Sequence, residues 1–117
     1  MKPLSIALAV AIAVAVFFAY SSFQQPPAYF DDASPVLYFY RDDCSHCIDQ
    51  KAVLGALANE GFRVAPAKYP DNRGVFQKYG VEGTPTFVAP ASGAKLAGYQ
   101  SIGPLRQFLQ ENGARIK

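Results

Sequence analysis

Two cysteines and one histidine are the whole supply of thiol and imidazole in this chain of 117 residues. A framework of several disulfides is therefore excluded. A structural zinc site takes four ligands, and these three residues, packed into one tetrapeptide, do not fill it; no metal is expected. Charge of one sign is also scarce as a block. Lys and Arg number 11 against 9 for Asp and Glu, a net +2, and they are scattered singly with no basic run or stripe. That distribution gives nucleic-acid binding no support, so no nucleic-acid partner is expected. Internal repeats are absent.

One segment lacks charge altogether. Leu4 to Tyr20 reads "LSIALAVAIAVAVFFAY"; Lys2 precedes it and no acid follows until Asp31. A secretory signal has a cationic start, an apolar run of about 7–15 residues and a small-residue cleavage site. A membrane-spanning helix needs roughly 20 apolar residues. Residues 1–23 lie between the two and are read as either a signal peptide or a membrane anchor. Ala19-Tyr20-Ser21 offers a cleavage site ahead of Ser22, whereas continuation through Phe23 gives a short anchor over residues 4–23. The lone Lys2 keeps the N-terminus cytoplasmic and exports the remainder in both cases. A buried core helix fits poorly, because the apolar run is followed by the polar, proline-containing stretch "SSFQQPPAYFDDASP". The chain is thus expected in the periplasm or an equivalent extracytoplasmic space, tethered to the inner membrane or soluble after cleavage. Disulfides persist there.

Residues 24–34 read as a linker and 35–117 as one domain. "VLYFY" (36–40) is a short apolar run bounded by Pro35 and "RDD", a buried strand. Helix formers follow from Cys44 to about Glu60, with Ile48, Ala52, Leu54, Ala56 and Leu57 as the apolar face and Gly61 as the stop. "FRVAPAKY" (62–69) is a second strand. Its Pro66 cannot donate to a ladder, which places it at a sheet edge. "NRGVFQKYG" (72–80) is a short helix, and "TFVA" (86–89) and "KLAGY" (95–99) are two strands around a turn. "GPLRQFLQENG" is a closing helix with Leu105, Phe108 and Leu109 at i, i+3, i+4. The order β-α-β-α-β-β-α describes a small α/β layered domain.

Both cysteines and the histidine stand together in Cys44-Ser45-His46-Cys47, at a helix start after a buried strand. A thiolate at Cys44 is favoured by the free N–H groups and positive dipole end of that helix. Cys47, one turn in, is placed to attack a mixed disulfide and release the partner. Cys44 is the expected nucleophile and Cys47 the resolving thiol. Two weaker readings remain, and a third is excluded. Copper(I) is satisfied by two thiolates, which allows a copper-handling module. A purely structural disulfide closes too small a loop to stabilise much. Haem attachment requires His after the second cysteine, where Ile48 stands.

Three segments carry a resemblance to the thioredoxin-like superfamily: "VLYFYRDDCSHC", "KYGVEGTPTFV" and "GYQSIGPLRQFLQEN", together spanning 35–113. The resemblance implies a minimal thioredoxin-like fold preceded by the N-terminal export or anchor helix. It implies a protein thiol–disulfide oxidoreductase without a bound cofactor, acting on cysteine-containing exported proteins with a separate redox partner. It further implies that Pro85 is a cis-proline facing the cysteine pair and that the Thr84 backbone binds a substrate chain, a form of strand addition. A non-catalytic adaptor of the same fold is the alternative. No extra domain for dimerisation is visible, and a monomer is expected.

The chain departs from the family pattern in four places. Asp43 replaces the aromatic residue before the first cysteine, Ala52 the helix-kinking proline, and Tyr38 the buried acid that assists the resolving thiol. The fourth is His46, in place of the proline between the cysteines. A histidine beside the Cys44 thiolate stabilises the reduced form and makes the disulfide more oxidising. The span from thioredoxin to the strongest periplasmic oxidase is about 150 mV, roughly 7 kcal/mol. Asp42 and Asp43 oppose this, since nearby negative charge disfavours a thiolate. The balance points to an oxidase or isomerase.

Overall fold

In a computed structural model, residues 12–13 and 27–116 are described. Seven elements follow one another: β1 (Leu37–Tyr40), α1 (Ser45–Ala58), β2 (Ala65–Lys68), α2 (Arg73–Lys78), β3 (Thr86–Ala89), β4 (Ala94–Ala97) and α3 (Ile102–Glu111). They form a mixed α/β domain around one four-stranded sheet of order β2-β1-β3-β4. β1 runs parallel to β2 and antiparallel to β3, and β4 is antiparallel to β3. Apart from residues 12 and 13, the expected export or anchor helix lies outside the described residues. Among the described residues no helix is long and apolar enough to cross a membrane.

Strand alternation sorts the aromatic side chains to the two faces of the sheet. Val36, Tyr38 and Phe87 join Leu54 and Leu57 of α1 and Leu105, Phe108 and Leu109 of α3 in the larger core. Phe39, Ala67 and Val88 point to the other face, where Phe76 of α2 covers them. β3 is buried along its whole length, the signature of a strand covered on both sides.

Pro66 lies in the edge strand β2, opposite Tyr38 of β1. The reason is visible in the hydrogen bonds. Ala65 and Tyr69 donate inward to Val36 and Tyr40, whereas Val64 donates outward to the Tyr29 carbonyl. Alternation then points the next outward position at Pro66, which has no N–H. Pairing on the outer edge accordingly consists of a parallel bridge between Phe30 and Val64. The stretch expected as a linker, 24–34, thus contains residues that pack on the domain: Tyr29 is buried and Phe30 rests on Tyr38 and Tyr40.

The apolar face expected for the first helix needs correction. Ile48 is 54% exposed, and Ala52 and Ala56 face solvent. The buried stripe is Cys47, Gln50, Leu54, Leu57 and Ala58. It follows the i, i+3, i+7 rhythm of a helix face, with a glutamine inside it that an apolar count passes over.

Candidate functional site

Cys44 is the N-cap of α1, in an extended conformation, and its sulfur accepts a hydrogen bond of 3.1 Å from the Cys47 backbone N–H. Sulfur here takes the place usually held by a Ser, Thr or Asp oxygen. A donor aimed at the sulfur favours its charged form over the neutral thiol. Cys44 and Cys47 are joined as a disulfide with their Cα atoms 5.2 Å apart. Their exposures differ sharply: Cys44 is half-buried, while Cys47 is 1% exposed. Attack from outside the protein therefore reaches Cys44 first.

The loop before β3 supplies the opposite wall. The Thr84–Pro85 peptide bond is cis, and the Thr84 carbonyl oxygen lies 3.5 Å from Cys44 Sγ. Pro85 itself is fully buried, and its carbonyl accepts from the Gly98 N–H at 2.8 Å. Gly98 has a positive φ of 87°, which suits glycine. The structure thus brings Cys44, Cys47, Thr84 and Pro85 together across forty residues of sequence. His46 sits in the first turn of α1 with its side chain exposed.

The two aspartates ahead of Cys44 are each matched by a cation. Asp43 receives Arg41 Nε and Nη2 at 3.1 and 3.3 Å. Asp42 meets Lys68 Nζ at 2.6 Å, and that hydrogen bond raises the Lys68 ammonium above its ordinary range. Both pairs are exposed, so they offset only part of the opposition expected from Asp42 and Asp43. In the larger core, Tyr38 is stacked between Tyr40 and Phe87 at centroid distances of 5.1 and 4.9 Å. Burial pushes its hydroxyl well above the ordinary range, with smaller contributions from Tyr29 and Tyr40. Tyr38 therefore stays neutral at physiological pH.

Gln50 supports the helix of the disulfide, and an apolar count of the sequence passes over it. It is completely buried one turn after Cys47. Its Nε2 donates to the Gln100 carbonyl at 2.9 Å, and its Oε1 accepts from the Gln100 N–H at 2.8 Å. Both polar groups of one peptide segment between β4 and α3 are thereby tied to the helix that carries the disulfide. The signal was present in the spacing 47, 50, 54, 57. Among the described residues, no group of three or more His, Cys, Asp or Glu side chains is arranged to hold a metal ion.

No known family model matches this chain. No curated protein matches it either. Among solved structures, one described as a malarial protein is 23% identical with a TM-score of 0.51, covering 66% of this chain and 93% of its own. The thioredoxin Mala s 13 of Malassezia sympodialis is 21% identical with a TM-score of 0.49, covering 81% of this chain and 86% of its own. The first likeness shows a shared fold; the second is too low to add to it. Within this mixed α/β fold the linked Cys-x-x-Cys pair stands at a helix start and faces the cis Thr84–Pro85 bond.

Proposed function

We propose that this chain is a thiol–disulfide oxidoreductase that exchanges disulfides with exported proteins outside the cytoplasm, acting as an oxidase or isomerase. The observation that carries the reading is the asymmetry of the pair: an accessible Cys44 that caps a helix, next to a shielded Cys47. In the oxidising direction a substrate thiolate attacks Cys44 Sγ, forming a mixed disulfide and releasing Cys47 as thiolate. A second substrate thiolate then attacks the substrate sulfur of that bond. The substrate leaves with a disulfide, and the protein keeps two electrons and two protons as a dithiol. An unidentified redox partner restores the disulfide.

His46 and the capping N–H favour the reduced, thiolate form, while the two exposed ion pairs soften the counterweight of Asp42 and Asp43. Tyr38 withholds the proton acceptor that an efficient reductase employs on its resolving thiol. Thr84 lines the approach to Cys44, and its backbone serves as the docking edge for substrate chain. The extracytoplasmic setting rests on the uncharged run from Leu4 to Tyr20.

The test is the equilibrium of the Cys44–Cys47 pair with glutathione, measured on the full chain in mild detergent. A potential above thioredoxin's value of about −270 mV is expected. A value at or below it overturns the oxidase direction but leaves exchange standing. Failure of the pair to equilibrate overturns exchange itself.

A further inference from the structure

A cleft of about 300 Å³ opens beside the disulfide, between the Tyr69 loop, α2 and the loop leading to Thr84. Thr84 belongs both to this cleft and to the wall facing Cys44 Sγ. Thr84 is thus the edge along which a substrate chain bonded to Cys44 would extend toward the cleft, at roughly 3.3 Å per residue.

Two guanidinium groups from separate segments converge there on a single ring. Arg41, in the loop after β1, has its Cζ 4.9 Å from the Tyr69 ring centroid; Arg73, at the start of α2, has its Cζ 5.9 Å away. One of the two already faces a carboxylate, Asp43 on Arg41, and the open position is on the Arg73 side. A guanidinium lying over a ring keeps its N–H edge free, five donors in a rigid fork. Arg41 spends two of its donors on Asp43, in an exposed pair of the kind that contributes little. The Arg73 side chain has no ion pair or hydrogen bond among the described residues. Glu82 also borders the cleft but lies beyond ion-pair distance of either arginine. Phe76 closes the floor with apolar surface.

We infer that this cleft is a specificity subsite for a carboxylate, held by Arg73 with Arg41, and that the preferred substrates carry an Asp or Glu beside the reacting cysteine. The inference rests on the exchange reading of Cys44 and deepens it by naming the substrate class. A carboxylate seated between two guanidinium edges accepts charge-assisted hydrogen bonds, and its approach to the site is favoured by the same field.

The experiment uses the oxidised full chain and three dithiol peptides that differ only in the residue beside the first cysteine: Glu, Gln or Lys. The rate of peptide oxidation, with loss of the Cys44–Cys47 disulfide, is followed at low and high salt. The Glu peptide is expected to react about tenfold faster than the Gln peptide, the factor given by one good charge-assisted bond. The Lys peptide is expected to be slowest, and the spread should shrink with salt. Arg73→Met should bring Glu and Gln within about twofold, and Arg73→Lys should restore part of the preference. Comparing peptides on the same variant cancels any general loss of stability or reactivity. Equal rates with Glu and Gln on the unchanged protein, or an undiminished preference in Arg73→Met, overturn the subsite while exchange stands. No reaction with any peptide overturns the exchange reading, and the subsite falls with it.

Discussion

Gln50 ties the helix of the disulfide to the rest of the domain, and removing its carboxamide isolates that tie. Leucine is the cleanest replacement, because it keeps most of the volume and removes both hydrogen bonds. Gln100 then loses partners for its N–H and its carbonyl, at 2.8 and 2.9 Å in the unchanged protein. Leaving a buried polar group unpaired costs about 1–3 kcal/mol. The Gln100 groups are only partly buried, so water recovers some of that loss. A total of about 2–3 kcal/mol is expected, a large share of the roughly 5–15 kcal/mol that holds a domain together. For a domain of this size the melting temperature should fall by roughly 10–20 °C. Gln50→Ala should cost more, because it adds a cavity. The assay is thermal and urea unfolding of the oxidised full chain in mild detergent, followed by circular dichroism. Repeating it on the reduced chain closes a thermodynamic cycle. Gln50 bonds neither sulfur, so both forms should lose the same stability and the potential should stay within about 10 mV. A loss under about 0.5 kcal/mol for Gln50→Leu would refute the reasoning, because the carboxamide would then be exchanging its bonds freely with water.

Four further outcomes follow from the same geometry. Cys47→Ser should accumulate mixed disulfides with substrate peptide through Cys44, visible as a mass increase on non-reducing analysis; Cys44→Ser should give none, and equal trapping by both would undo the assignment of roles. Lys68→Met leaves Asp42 unbalanced near the thiolate and should lower the reduction potential by roughly 10–20 mV, the equivalent of about 0.5–1 kcal/mol, whereas Asp42→Asn should raise it. Above pH 10 stability should decline by about 1.4 kcal/mol per pH unit for Tyr38, because the unfolded tyrosine ionises while burial keeps the folded one protonated; Tyr38→Phe should flatten that slope in alkaline urea titrations. Glu60 is held below the ordinary carboxyl range by its hydrogen bonds to Arg106, so its contribution is full above the unfolded value and is lost as pH falls through the folded one. Glu60→Gln should therefore weaken the protein near neutrality and reduce its sensitivity to acid.

What the sequence revealed, and what it hid, divides along a physical line. Signals carried by neighbouring residues were legible: the β-branched and aromatic run of β1, the cysteine pair at a helix start, the edge position of Pro66 and the i, i+3, i+4 stripe of α3. Each depends on local propensity or on one missing N–H. The buried face of α1 follows spacing and not apolar identity, so it departs from the face expected of its apolar residues. Cys47, Gln50, Leu54 and Leu57 hold the period, and a glutamine is admitted because Gln100 supplies both of its partners. Charges misled for a related reason. In the sequence Asp42 and Asp43 stand as uncompensated anions ahead of Cys44, yet the cation that meets Asp42 arrives from β2, more than twenty residues away. The cleft is the extreme case, since Arg41, Tyr69, Arg73 and Thr84 come from separate segments that only the sheet order brings to one side of the disulfide. A thiol pair can thus be recognised from four residues. On the proposed reading, its potential and its choice of substrate depend on charges delivered by folding, which is why substitutions at Lys68 and Arg73 test that reading more sharply than further changes inside the Cys-x-x-Cys motif.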